Sequence, residues 1–241
     1  MTENLQLILI ISLTLLAALA VVFIVFTLIV RRHLARQRKK VESFGRGSEQ
    51  QVEAILKKAF GDDSVLTGIY LPYINLDYDK FAEIDHILTL RSGIFVIEVK
   101  SHNGYINNPN QHDWWQTYND KKIRFYNPLR QNNTHTKIVS EILKANGQYN
   151  VPIYSVVVFT SNRVTFARKY DNLIQKRELV GYIKRVGKKN AIPAAQLRRV
   201  KSIITGAAAT GSSVERKHRS AMRRYQEKNR YQSKKKQNKS E

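Results

Sequence analysis

Leu5 to Val30 is an unbroken run of 26 residues without a charged side chain, its only polar members being Gln6, Ser12, Thr14 and Thr27. As a helix it would be roughly 39 Å long, more than the ~30 Å hydrocarbon layer of a bilayer requires. No polar face is available to meet water, so a buried soluble helix is a poor fit. The start, Met1-Thr2-Glu3-Asn4, has no Lys or Arg, and the apolar run is too long for a secretory signal. Basic residues follow instead: Arg31, Arg32, Arg36, Arg38, Lys39 and Lys40. The positive-inside rule then predicts a single-pass protein of the cell membrane with residues 1–4 outside and everything after Arg31 in the cytosol. Residues 5–30 are the expected transmembrane helix, and 31–44 a basic juxtamembrane linker in which Arg31–Lys40 touch anionic lipid.

The rest of the chain is basic too. The protein has 41 Lys+Arg against 19 Asp+Glu, a formal charge of +22, with both flanks, residues 1–40 and 215–241, denser in charge than the middle. Such an excess predicts polyanionic partners, nucleic acid or anionic lipid, and says little about fold. The absence of cysteine excludes disulfides, cysteine zinc sites and thiol nucleophiles.

From Gly45 the texture is that of a mixed α/β domain. Ser48 followed by Gln51 resembles a capping box, and Val52, Ile55, Leu56 and Ala59 fall on one helical face before Gly61. Val65–Leu71 reads as a strand closed by Pro72. The segments 81–90 and 94–100, rich in β-branched and apolar residues about a turn at Arg91-Ser92-Gly93, read as a β-hairpin. Period-two alternation puts Asp85 and Ile87 on one face, with Val96, Glu98 and Lys100 on one face of the partner strand. An even-length loop would set Asp85 opposite Lys100 and diagonal to Glu98. A polar aromatic loop with Trp114 and Trp115 follows, then a helix over 128–145 and a buried strand over 151–160. Helices are expected at 173–186 and 194–209, within a C-terminal helical extension spanning 161–214, and residues 215–241 read as a disordered basic tail.

Charges at the end of an apolar hairpin cost several kcal/mol unless paired or metal-bound. Asp85 and Glu98 could hold a hard divalent cation, Mg²⁺ or Mn²⁺, with Glu49 of the preceding helix completing the shell. Lys100 could then position water or neutralise charge on a phosphate. From the pattern alone the plainer reading is a surface ion pair, with Lys100 balancing Asp85 and Glu98 at a strand end, because such triplets are common. His86 should point to the opposite face and pack. His135, one turn after Gln131, could approach a phosphate or simply face solvent. Trp114 and Trp115 could stack on bases or pack over the sheet.

Gly47-Ser48-Glu49, Glu83-Ile84-Asp85-His86-Ile87-Leu88, Gly93-Ile94-Phe95-Val96-Ile97-Glu98-Val99-Lys100 and Asn127-Pro128-Leu129-Arg130-Gln131-Asn132, in this order, resemble the nuclease-related domain called NERD over about residues 45–160. That family is similar to the PD-(D/E)xK restriction-endonuclease-like superfamily. The resemblance implies a mixed sheet flanked by helices, here preceded by the membrane helix. It implies Glu49 as the helix carboxylate, Asp85 and Glu98 as metal ligands, Lys100 as the catalytic lysine, and Gln131 with Arg130 near the scissile phosphate. The expected activity is metal-dependent hydrolysis of DNA or RNA at the membrane. The alternative is a non-catalytic, membrane-tethered nucleic-acid-binding or scaffold protein of the same fold.

Overall fold

A computed structural model describes residues 2–73, 81–109, 112–189, 191–209, 211, 214, 216 and 220, with side chains for the same residues except 2–18 and 37–44. It divides into two compact units, residues 1–47 and 48–241. The first unit lies within helix α1, which spans Thr2–Phe60. Its side chains at Leu19, Val22, Phe23 and Phe26 are 59–67% exposed, and Arg31, Arg32 and Arg36 are exposed beyond them. Among the described residues no helix is long and apolar enough to cross a membrane. The side chains of the first half of the apolar run, and nearly all of the basic 215–241 tail, lie outside the described residues.

The second unit is α/β, with two mixed sheets and flanking helices. The larger sheet has five strands in the order β1-β2-β3-β7-β9: Val65–Pro72, Phe81–Leu90, Gly93–Lys100, Ile153–Phe159 and Leu173–Gln175. The first three are antiparallel neighbours, while β7 runs parallel to both β3 and β9. All but the last residue of β3 are buried, as expected of a central strand covered on both faces. One face carries Phe95, Ile97, Val156 and Val158. It packs on Val52 and Leu56 from the end of α1 and on Leu179, Tyr182 and Ile183 of α3 (Leu179–Val186). The other face carries Ile87 and Val96 under α2 (Pro128–Ala145) and α4 (Ala194–Ala207). Further along that face, Val157 and Phe159 meet the smaller sheet.

That smaller sheet has the order β6-β5-β4-β8: Lys121–Tyr126, Asp113–Tyr118, Gly104–Asn107 and Val164–Phe166. It replaces the loop expected around the tryptophans. Its β5–β6 turn is Asn119-Asp120, both with positive φ (46° and 57°), the backbone that a two-residue type I′ hairpin demands. Gly104 (φ +74°) is required where β4 begins, because a Cβ there would lie 2.4 Å from the Thr117 carbonyl oxygen.

Three local expectations are corrected. Ser48 is no N-cap, since the helix runs through it; its hydroxyl is buried and accepts a 2.9 Å hydrogen bond from Thr160 Oγ1. Leu173–Gln175 is a strand and not the start of a helix, because the Leu173-Ile174 pair finds an edge of β7 to pair with before the helix begins at Leu179. The hairpin register also differs from expectation. Leu90 pairs with Gly93 across a two-residue turn, so Glu98, not Lys100, lies across from Asp85 when that register is continued. A slip of two residues preserves the face each side chain occupies, which is why the clustering of charges survives it.

Candidate nuclease site

Asp85, Glu98, Lys100 and Gln131 converge on the α2 side of the larger sheet, between the apolar cluster under α2 and α4 and the one under the smaller sheet. Their placement begins with a defect in β2. The β1 ladder pairs Thr67 with His86 and Ile69 with Ile84, and Gly68, across from Asp85, takes φ +60°. Inward alternation changes phase here, for Ile84 and Ile87 both lie in the cluster beneath α2. The β2–β3 ladder stops at His86↔Ile97. Where it stops, Asp85 Oδ2 accepts a 2.7 Å hydrogen bond from the Val99 N–H. The carboxylate thus takes over from backbone pairing, the re-aiming for which strand irregularities near active sites are used.

Glu98 is 2% exposed. Its Oε1 accepts from Lys100 Nζ at 2.5 Å; its Oε2 has no hydrogen-bond partner and lies 3.5 Å from His135 Nδ1. Lys100 Nζ also donates to Gln131 Oε1 at 3.2 Å, so the first turn of α2 fixes the ammonium from the other side. Burial, and then the Glu98 carboxylate, raise the Asp85 carboxyl well above its ordinary range. Burial alone would depress Lys100, but Glu98 and Asp85 outweigh it and raise the ammonium, keeping it charged. Glu49 is near enough for its charge to push Asp85 up and to help hold the Lys100 proton. It is placed by its neighbour Ser48, bonded to Thr160, whose own N–H donates to the Lys100 carbonyl at 2.9 Å.

Among the described residues, no group of three or more His, Asp and Glu side chains is placed to hold a metal ion. The chemistry of the pair Asp85 and Glu98 nonetheless fits a hard cation. Both donors are carboxylates, and Glu98 Oε2 is a buried anionic oxygen lacking a hydrogen bond.

The remaining candidates separate. Arg130 is exposed on the first turn of α2. His135 is 6% exposed and sits against Glu98, so it is withdrawn from solvent instead of facing it. His86 lies on the opposite face, 3.3 Å from Thr67 Oγ1, and burial lowers it to about 4. Trp114 is fully buried, with Nε1 donating to the Pro109 carbonyl at 2.9 Å, whereas Trp115 is partly exposed.

Sequence reading missed two supports. Asn132, fully buried, donates from Nδ2 to the Val96 carbonyl (2.8 Å), Ser155 Oγ (2.9 Å) and the Val156 carbonyl (3.0 Å), clamping α2 across β3 and β7. Its position after Gln131 on the inward face of the helix was the available signal. His102 stacks on Phe125 with ring centroids 4.1 Å apart, and burial followed by the Lys100 charge lowers it to about 4. Nothing in its sequence surroundings marked it.

An uncharacterized protein of Bacillus anthracis is 26% identical over 142 residues, 58% of this chain and 61% of the relative's own length. No solved structure matches the chain. The nuclease-related domain family matches residues 44–160, a range consistent with the PD-(D/E)xK-like superfamily and one that contains Asp85, Glu98, Lys100 and Gln131. Residues 44–160 of this chain are therefore a nuclease-related (NERD) domain.

Proposed function

We propose that the protein is a divalent-metal-dependent nuclease, hydrolysing phosphodiester bonds of DNA or RNA beside a membrane. The observation that carries this reading is the convergence of a buried carboxylate, a half-buried one, a charged lysine and an amide at the irregular end of a hairpin. Asp85 and Glu98 would hold Mg²⁺ or Mn²⁺, with Glu49 approaching from α1. The ion, when bound, supplies an acidified water and positive charge for the phosphate. Lys100, held by Glu98 and Gln131, neutralises the negative charge that builds on the phosphoryl oxygens as water adds, giving up its proton to solvent, and the P–O bond to the leaving oxygen breaks. Gln131 fixes the lysine's direction, and Arg130 offers an exposed cation to a flanking phosphate.

The membrane part of the reading rests on the α1 segment from Leu19 to Val30, apolar on all sides and exposed, with exposed Arg31, Arg32 and Arg36 after it. In this reading the protein is single-pass in the cell membrane, residues 1–4 outside and the nuclease domain in the cytosol, with Arg31–Lys40 against anionic lipid. Carbonate extraction of membranes tests the anchor; release of the full chain into the supernatant sinks it. Metal binding is tested by melting the protein in graded Mg²⁺. At a concentration of about 100 Kd the wild type should gain about 2.7 kcal/mol, and Asp85→Ala should gain nothing. An equal gain in both would remove Asp85 from the metal site.

A further inference from the structure

The smaller sheet has one face that the catalytic reading does not use. Its inner face carries Ile106, Trp114, Phe125 and Phe166, packed towards Val157 and Phe159 of the larger sheet. Strand alternation puts Tyr105, Trp115, Lys122, Arg124 and Tyr126 together on the outer face. The register aligns Asn107, Trp115 and Arg124 in one row across three strands, and Tyr105, Thr117 and Lys122 in the next. Tyr105 is 49% and Tyr126 37% exposed. Lys122 Nζ stands 4.9 Å from the centre of the Trp115 ring, and Arg124 pairs with Asp113 at 3.4 Å.

This face carries three aromatic rings and two cations, with one acid and no aliphatic side chain. Rings interleaved with Lys and Arg satisfy base faces and phosphates together. Rows repeat about every 7 Å along a strand, so rings in successive rows can take successive unstacked bases. A duplex keeps its base faces covered, which leaves a single strand as the matching occupant.

Both ends of the sheet lead to the candidate site. Strand β4 begins four residues after Lys100, and β6 ends at Tyr126, beside the Asn127 cap of α2. The stacking of His102 on Phe125 ties these two ends together. Exposed Arg130 carries the positive charge on from β6 to the turn of α2 that bears Gln131.

We propose that the outer face of the β4–β5–β6 sheet is a stacking platform for single-stranded nucleic acid, leading it to the Asp85–Glu98–Lys100 site. The inference rests on the nuclease reading for its purpose, but binding can be measured without hydrolysis. The full chain in detergent, with EDTA present, is titrated against a labelled oligothymidylate of about 20 nucleotides and a duplex of the same length. Trp115→Thr and Tyr105→Thr should each weaken single-strand binding about tenfold and leave duplex binding unchanged, while Trp115→Phe stays near wild type. Lys122→Gln with Arg124→Gln should flatten the salt dependence of single-strand binding. If the threonine variants melt like wild type and bind the single strand as well, or lose both ligands equally, the platform is wrong. Should Trp115→Thr fail to fold, wild-type tryptophan emission decides: quenching on saturation supports stacking, and none overturns it. Hydrolysis indifferent to Asp85→Asn would sink the nuclease reading and leave the platform standing. Asp85-dependent hydrolysis with unaltered binding in folded Trp115→Thr would sink the platform alone.

Discussion

Replacing Asn132 by alanine should destabilise the nuclease-related domain by about 2–3 kcal/mol. The amide nitrogen has two hydrogens and three acceptors in reach, at 2.8, 2.9 and 3.0 Å. Two full hydrogen bonds are therefore the most it makes at once, each worth about 1 kcal/mol net. Two of the acceptors are buried carbonyls of neighbouring strands, Val96 and Val156, and water cannot reach them once the amide is gone. Each keeps a second lone pair, so the added penalty is a fraction of that for an orphaned group, up to about 1 kcal/mol in total. For a unit of this size the loss corresponds to a fall in Tm of roughly 5–10 °C. Asn132→Asp should be worse than Asn132→Ala, because it turns a carboxylate onto the same acceptors in a buried place. Urea and thermal unfolding of the full chain in detergent measure both. A change under about 0.5 kcal/mol for alanine, or aspartate tolerated as well as alanine, would refute the clamp.

Three further outcomes are expected. Gly68→Ala should cost about 1 kcal/mol from its left-handed backbone, where a Cβ meets no neighbour, and should reduce hydrolysis beyond its effect on folding because Asp85 lies across from it; equal loss of both would detach Gly68 from the site. Asn127→Ala should cost about 1 kcal/mol by freeing the Leu129 and Arg130 amides, which its side chain accepts at 2.9 and 3.3 Å, with Asn127→Ser recovering most of it. Stability should fall with acid: His86 takes its proton near 4 when folded and near 6.5 when unfolded, so the unfolded chain binds the extra proton between those values. That loss grows to about 3 kcal/mol as pH falls from 6.5 to 4, and a His86→Gln protein with an unchanged acid slope would contradict it.

Glu98 and Lys100 were legible together because alternation within β3 fixes their face and an even slip of register keeps it, Asp85 because the hairpin itself was readable, and Gln131 through the family resemblance alone. Their contacts were less legible. The two-residue turn at Arg91-Ser92 follows from Gly93, whose φ of +143° lets the Tyr154 ring lie where a Cβ would be, a long-range contact that no local pattern shows. The kink at Gly68 and Asp85 was hidden for the same reason: it exists only when β1 and β2 are side by side. The second sheet was missed although Asn119-Asp120 is a hairpin turn signal and Lys122-Ile123-Arg124-Phe125 alternates, because β6 is mostly exposed and so short that its alternation rests on two apolar residues. The Asn127-Pro128 start of α2 was readable, since cap and N1 proline act locally. Ser48 failed as a cap because its hydroxyl serves Thr160, a partner 112 residues away.

The central claim is that Asp85, Glu98 and Lys100 cleave nucleic acid with a divalent ion. Its most direct test is hydrolysis by the purified full chain of plasmid, linear duplex and single-stranded DNA, and of RNA, with Mg²⁺ or Mn²⁺, beside Asp85→Ala and Lys100→Ala. Metal-dependent cleavage by the wild type, lost in both variants while their melting curves remain cooperative, is the expected result. No cleavage under any of these conditions, or equal cleavage by the variants, would contradict it.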